Sequence, residues 1–199
     1  MILYARPDDP AGHAIRLLLA EKSVGVKLEE INDESSSEQL LHLNPYGRLP
    51  TLAAHGVTLF DPRVIVEFIN ERYPHPPMMP SDPVLRARVR LLTQEVVGEW
   101  YELCGRIIRG QGRDKPRIRR ELTEAILASE ALFGDSPYLL SKHYGVADCV
   151  TIPVLWRLHH LGISLPREAK NLWKYMQLVF RRPTFVASLT GHERGMAAG

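Results

Sequence analysis

The chain has 199 residues, 45% hydrophobic and 24% charged, the balance of an ordinary globular protein long enough for one large domain or two small ones. The net charge of +2 is unevenly spread, with 7 Lys/Arg against 11 Asp/Glu in residues 1–75 and 18 against 12 in the remainder, which favours a two-part chain with charged partners. No apolar run reaches the roughly 18 residues of a membrane span, and MILYARPDDP lacks the basic and apolar regions of a signal peptide.

In chain order, ILYA reads as a short strand, RPDDPAGH as a loop, and AIRLLLAEK as a helix with Ile15, Leu18 and Leu19 on one face. GVKLEEI reads as a second strand. Ser35 and Glu38 have capping-box spacing before the helical QLLHL. RLPTLAAHGVTLF reads as two strands joined by a tight turn at His55 and Gly56. Asp61 is a good N-cap and Pro62 a good first residue for the helix RVIVEFINERY. The order is therefore β-α-β-α-β-β-α, and from Pro83 onward only helical periodicity appears.

The helical part begins with the long PVLRARVRLLTQEVVGEWYELCGRII, then RIRRELTEAILASEALF. VADCVTIPVLWRLHHLG, PREAKNLWKYMQLVFRR and PTFVASL follow. The final GHERGMAAG has little to bury and reads as a loose tail. Between the two parts, NERYPHPPMMPSDP packs five prolines into fourteen residues. Cys104 and Cys149 stand far apart with no CxxC or Cys/His spacing, which argues for reduced cytosolic thiols and no metal site. The helical pair His159–His160 points its side chains about 100° apart and shows no third ligand. The basic stretch from Arg106 to Arg120 has seven basic residues and no interleaved aromatic for base stacking, so a solvated face or an acidic protein partner is expected there.

An α/β unit containing RLPTL followed by a helical unit containing GVADCVTIPVLWRL resembles the glutathione S-transferase superfamily along essentially the whole chain. The resemblance implies a thioredoxin-like domain over residues 1–75, a Pro-rich linker over 76–86, and an all-helical domain over 87–199. It also implies that Pro50 is cis, that the Leu49 backbone faces the cysteinyl part of glutathione, and that Asp148 caps a buried helix. The usual Ser/Thr partner of that aspartate is Gly145 here, which weakens the cap.

Glutathione chemistry needs a group that stabilises a thiolate. RPDDPAGH has no Ser, Cys or Tyr, and Gly12 or His13 falls where serine- and cysteine-type members carry theirs. Tyr4 sits near the tyrosine-type position, but a packed strand aromatic is its expected role. Where the family has an acid–Ser pair to hold the γ-glutamyl carboxylate, this chain has Asp61–Pro62, and proline has neither hydroxyl nor N–H. Leu49, Pro50, Asp61 and Pro62 are thus expected to be a vestigial glutathione site, with no cofactor and no transferase catalysis.

ERYPHPPMMPSDPVLR, WYEL, WRLHHLGI and FVASLTGHER resemble a bacterial branch of the superfamily that associates with RNA polymerase and regulates transcription. The resemblance implies a partner surface at Pro74, His75 and Pro76, flanked by Glu71, Arg72, Tyr73 and Pro77. It implies docking on the holoenzyme through sigma factor and core surface, in the cytoplasm, with only indirect contact to DNA. It also implies a homodimer through the third and fourth helices, a heterodimer with a paralogue being the alternative. Consecutive prolines favour extended polyproline II, so docking loses little backbone entropy. The rival is a glutathione-dependent transferase or peroxidase using Tyr4.

Overall fold

A computed structural model describes residues 1–32, 38–110 and 112–196. Ser35, and with it the expected capping box, lies outside the described residues. The first seven elements follow the expected order. They are β1 (Ile2–Ala5), α1 (Pro10–Glu21), β2 (Lys27–Glu30), α2 (Glu38–Leu43), β3 (Thr51–Ala54), β4 (Val57–Leu59) and α3 (Pro62–Arg72). The sheet order is β2-β1-β3-β4, with β1 parallel to β2, antiparallel to β3, and β3 antiparallel to β4. His55 and Gly56, both at positive φ, make the β3–β4 turn.

Alternation along β1 divides its side chains. Leu3 and Ala5 join the main core with α1 and α3, whereas Tyr4 packs with Ile31 and Leu40 on the other face. α1 starts earlier than expected, because the Asp9 carboxylate accepts the Ala11 N–H at 2.9 Å and Pro10 suits a first helical turn. It is buried on all sides from Pro10 to Leu19, since α3 and the sheet cover one flank and helices of the second part cover the other.

That second part comprises α4 (Pro83–Glu95), α5 (Tyr101–Arg109), α6 (Lys115–Ala128), α7 (Val146–Arg157), α8 (Lys170–Val179), α9 (Pro183–Ser188) and α10 (Gly191–Gly195). The expected long helix is α4 and α5 joined through one π-helical turn, Val96–Trp100. α8 begins only at Lys170, so PRE is not helical. α7 is the central helix, buried along nearly its whole length, and packs on α1. Trp100 and Tyr101 are buried and Trp156 packs against the core, whereas Trp173 is 40% exposed. No described helix is long and apolar enough to cross a membrane.

Over residues 191–196 the expectation of a loose tail is wrong, and the last three residues lie outside the described residues. Thr190 and Glu193 form a capping box that starts α10, and Glu193 is fully buried. Its carboxylate meets Arg16 at 2.5 Å and Arg157 at 2.5 Å, and stands 3.5 Å from the His13 ring. Burial works to raise its pKa, but the charges around it prevail and hold it at about 2. Burial also holds His13 well below its ordinary value, so Arg16 and Arg157 are the charges that act at neutral pH. Arg157 further donates to the Asp8 and Asp9 carbonyls, tying α7 to the start of α1. The tail is thus a polar latch across α1 and α7.

Candidate functional site

Two places compete for function. The first is a cleft of about 430 Å³ where the β1–α1 connection, the loop before β3, the start of α3 and α5 meet. Leu49–Pro50 is cis, in agreement with the family pattern, and Leu49 lines the cleft beside Pro62 and Arg109. The start of α3 is closed from within. Asp61 accepts the Arg63 N–H at 2.8 Å and pairs with the Arg63 side chain at 3.0 and 2.6 Å. These bonds from Arg63 hold the Asp61 carboxyl below its ordinary range. Pro62 brings no donor. An anion arriving here therefore finds the first-turn donors missing or already used.

No activating group faces the cleft from the positions considered in sequence. Tyr4 is 3% exposed between Ile31 and Leu40, under α2. At Gly12 a Cβ would lie 2.5 Å from the Ala5 Cβ, so the close approach of α1 to β1 requires glycine and excludes a serine or cysteine there. His13 is enclosed by Arg157, Ser188 and Glu193. Tyr101 does line the cleft, but its hydroxyl donates to the Val150 carbonyl at 2.7 Å, and burial pushes its pKa well up.

The second place is the Pro-rich connection between α3 and α4. α3 ends at Arg72, and Tyr73 is half-buried with its hydroxyl 2.9 Å from His55 Nε2 and the Arg72 guanidinium over its ring. Glu71, Arg72, Pro74, His75, Pro76 and Pro77 are exposed. The backbone bends at His75 and Pro76 and the peptide between them is cis, so the expected continuous polyproline II run is broken into a corner. Met78 then turns inward, 4% exposed in the core, while Met79 is half-buried. Beside the segment runs a groove of about 360 Å³ lined by Pro77, Met79, Leu85 and Tyr144.

Residues that sequence reasoning passed over anchor this segment. The Met78 carbonyl accepts the Val146 N–H at 2.8 Å, which satisfies an open donor at the start of α7. A Cβ at residue 145 would lie 2.9 Å from that carbonyl, so a side chain there would force the carbonyl to shift. The Asp148 half of the cap is kept, whereas glycine at 145 has no side chain to accept the Asp148 N–H, so the cap lacks its other half as expected. Asp148 accepts from Gly145 N–H at 2.8 Å, Leu139 N–H at 3.0 Å and the Tyr175 hydroxyl at 2.7 Å. Lys22 Nζ donates to the carbonyls of Tyr73 and Pro76 and to Asn70. Ahead of α4, Asp82 caps Leu85 and Arg86 donates to the Pro80 carbonyl.

His159 and His160 are exposed, and no cluster suited to a metal ion occurs among the described residues. Cys104 and Cys149 are buried, and burial pushes Cys104 up to about 12. Arg119, within the basic stretch, is partly buried and donates to the Leu161 carbonyl, whereas Arg113 and Arg120 are exposed.

Comparison with known proteins separates the fold from the branch. The family models "Glutathione S-transferase, N-terminal domain" and "Glutathione S-transferase, C-terminal domain" match residues 1–71 and 99–178. A protein of Coxiella burnetii named stringent starvation protein A homolog is 40% identical over 97% of this chain and 93% of its own length. The chain belongs to the stringent starvation protein A branch of the glutathione S-transferase family. Members of the wider family lie further off. A maleylacetoacetate isomerase of Pseudomonas aeruginosa is 30% identical over 83% of this chain and 84% of its own length. A rice glutathione S-transferase solved in complex with glutathione shares the fold, with a TM-score of 0.84 at 22% identity over 99% of this chain and 93% of that one.

Proposed function

We propose that this protein is an RNA polymerase-associated transcription regulator that docks on the holoenzyme, at sigma factor and neighbouring core surface, through Glu71–Pro77. The observation that carries the reading is an exposed Pro74–Pro77 corner on a backbone tied to α1, α3 and α7. Proline has no side-chain entropy to lose, and a backbone already fixed loses little more on binding, so His75 and three pyrrolidine rings meet a partner as one rigid unit. Glu71 and Arg72, exposed beside it, supply orientation and on-rate. Catalysis is not part of the reading, because the cleft has a self-paired Asp61, a donorless Pro62 and a buried Tyr4.

We further propose that two copies associate through α3 and α4. There Val64 (52% exposed) and Leu91 (67% exposed) flank the Glu67–Arg90 ion pair. Leu91→Arg is then expected to give a monomer in sedimentation. A heterodimer with a paralogue would use the same face, and DNA would be reached only through the polymerase. Binding to the polymerase places the protein in the cytoplasm.

The test is co-elution with purified RNA polymerase holoenzyme, for the wild type and for Pro74→Ala/His75→Ala/Pro76→Ala, with circular dichroism as the control for folding. Loss of co-elution in the variant alone is expected. Equal co-elution of both proteins would remove the segment from the interface. Absence of wild-type co-elution, combined with glutathione binding lost in Tyr4→Phe, would replace docking by the enzyme reading.

A further inference from the structure

A chain rich in proline has a particular difficulty in holding its shape. Pro74, Pro76 and Pro77 carry no N–H, so the segment cannot close a turn with its own main-chain donors at those positions. The carbonyls of Tyr73 and Pro76 must find donors elsewhere or face water. Both find the same atom. Lys22, just past the end of α1 and 5% exposed, donates from Nζ to Tyr73 O at 2.6 Å and to Pro76 O at 2.7 Å.

A third bond runs from Nζ to Asn70 Oδ1 at 3.0 Å, so all three donors of the ammonium are used. Asn70 Oδ1 also accepts the Met78 N–H at 3.3 Å. One cation therefore reaches the backbone at residues 73 and 76 directly and at residue 78 through Asn70, bracketing Pro74 and His75. Among the described residues no carboxylate pairs with it. A lysine that close to the surface would ordinarily extend its head into water. Here it is turned inward, onto neutral oxygens alone, an arrangement that is costly for a charge and is offset only by complete hydrogen bonding.

We propose that Lys22, with Asn70 as its relay, is the positioning residue that sets the shape of the Pro-His-Pro segment. Its consequence for binding rests on the docking reading given above. The bonds run from α1 to the inner side of the segment, leaving the outer faces of Pro74, His75, Pro76 and Pro77 exposed. Lys22 thus controls the conformation of a surface of which it is not itself a part.

The test uses the full chain with Lys22→Met, which keeps the stem and removes the donors. Asn70→Ala removes one acceptor and the Met78 tie, and serves if the first variant fails to fold. Amide hydrogen exchange at Met78 and affinity for RNA polymerase holoenzyme are measured for each. Exchange at Met78 is expected to rise, and polymerase affinity to fall, by about tenfold, the effect of losing hydrogen bonds to a charged group. Exchange in the middle of α1 and α7 should stay at the wild-type rate. Unchanged exchange at Met78 overturns the proposal, as does a rise spread equally over α1 and α7, which marks general loosening. Faster exchange with undiminished affinity also overturns it. If the wild type does not bind the holoenzyme, the docking reading fails, while Met78 still decides whether Lys22 sets the shape of the segment.

Discussion

Glu193→Gln keeps the size of the side chain at the centre of the buried latch and removes its charge. In the native chain Oε2 faces Arg16 Nη2 at 2.5 Å and the Thr190 N–H at 2.9 Å, while Oε1 faces Arg157 Nη2 at 2.5 Å. The amide leaves two buried guanidinium groups without a counter-charge. Its NH2 must also point at one of them, donor against donor. Removing one partner of a buried ion pair costs about 3–5 kcal/mol, because the other charge stays buried. For a chain of this size each kcal/mol lowers Tm by about 2–4 °C, so a fall of roughly 6–20 °C is expected. Thermal melting followed by circular dichroism at neutral pH, wild type beside variant, reads it directly. A fall smaller than about 2 °C would refute the argument, since it would mean that Arg16 and Arg157 are solvated whenever Glu193 is neutral.

Three further predictions concern single groups. Burial keeps His13, which faces Arg16, Arg157, Glu193 and Ser188, well below its ordinary value of 6.5, so the unfolded chain takes up the proton first. Its contribution is complete above about pH 6.5 and falls as the pH drops from there toward the folded value, so His13→Asn should flatten that part of a stability–pH curve. Glu193, at about 2 against an ordinary 4.5, adds a loss that begins only below 4.5 and should persist in that variant. Pro62→Ser returns a hydroxyl and an N–H to the start of α3 and should raise glutathione affinity by about tenfold in calorimetry. An unchanged affinity would show that Pro62 is not the block. Cys104 and Cys149 are fully buried with raised pKa, so a thiol reagent should label neither until denaturant is added. Labelling of the folded protein would contradict their placement in the core.

The order of elements was legible because apolar spacing and caps mark it locally. Asp61–Pro62 starts α3 and His55–Gly56 turns β3 into β4 as their residue types dictate. The departures of the cleft from the family pattern were legible too, since a missing hydroxyl or N–H is a property of the residue itself. What escaped was polar and long-range. GHERGMAAG looks dispensable by apolar count, yet Glu193 is held by cations on α1 and α7. The Thr190–Glu193 spacing was the available signal. Lys22 reads as an ordinary cation after a helix, and nothing local shows that its partners stand about fifty residues on. Gly145 reads only as a lost side-chain cap, and nothing local shows the Met78 carbonyl that packs against it and accepts the Val146 N–H.

The latch also has a consequence for the order of synthesis. Arg16 leaves the ribosome early, in a helix whose remaining surface is nearly all apolar, but the carboxylate that neutralises it is made 177 residues later. At 5–20 residues per second that is a wait of roughly 10–35 s. During this interval the N-terminal unit can form its sheet, but α1 cannot settle into the groove between the two parts without burying an unpaired guanidinium. The helices that cover α1, α7 and α9, are likewise made late, so the charge on Arg16 and the surface that buries it find their partners in the same final stretch of synthesis.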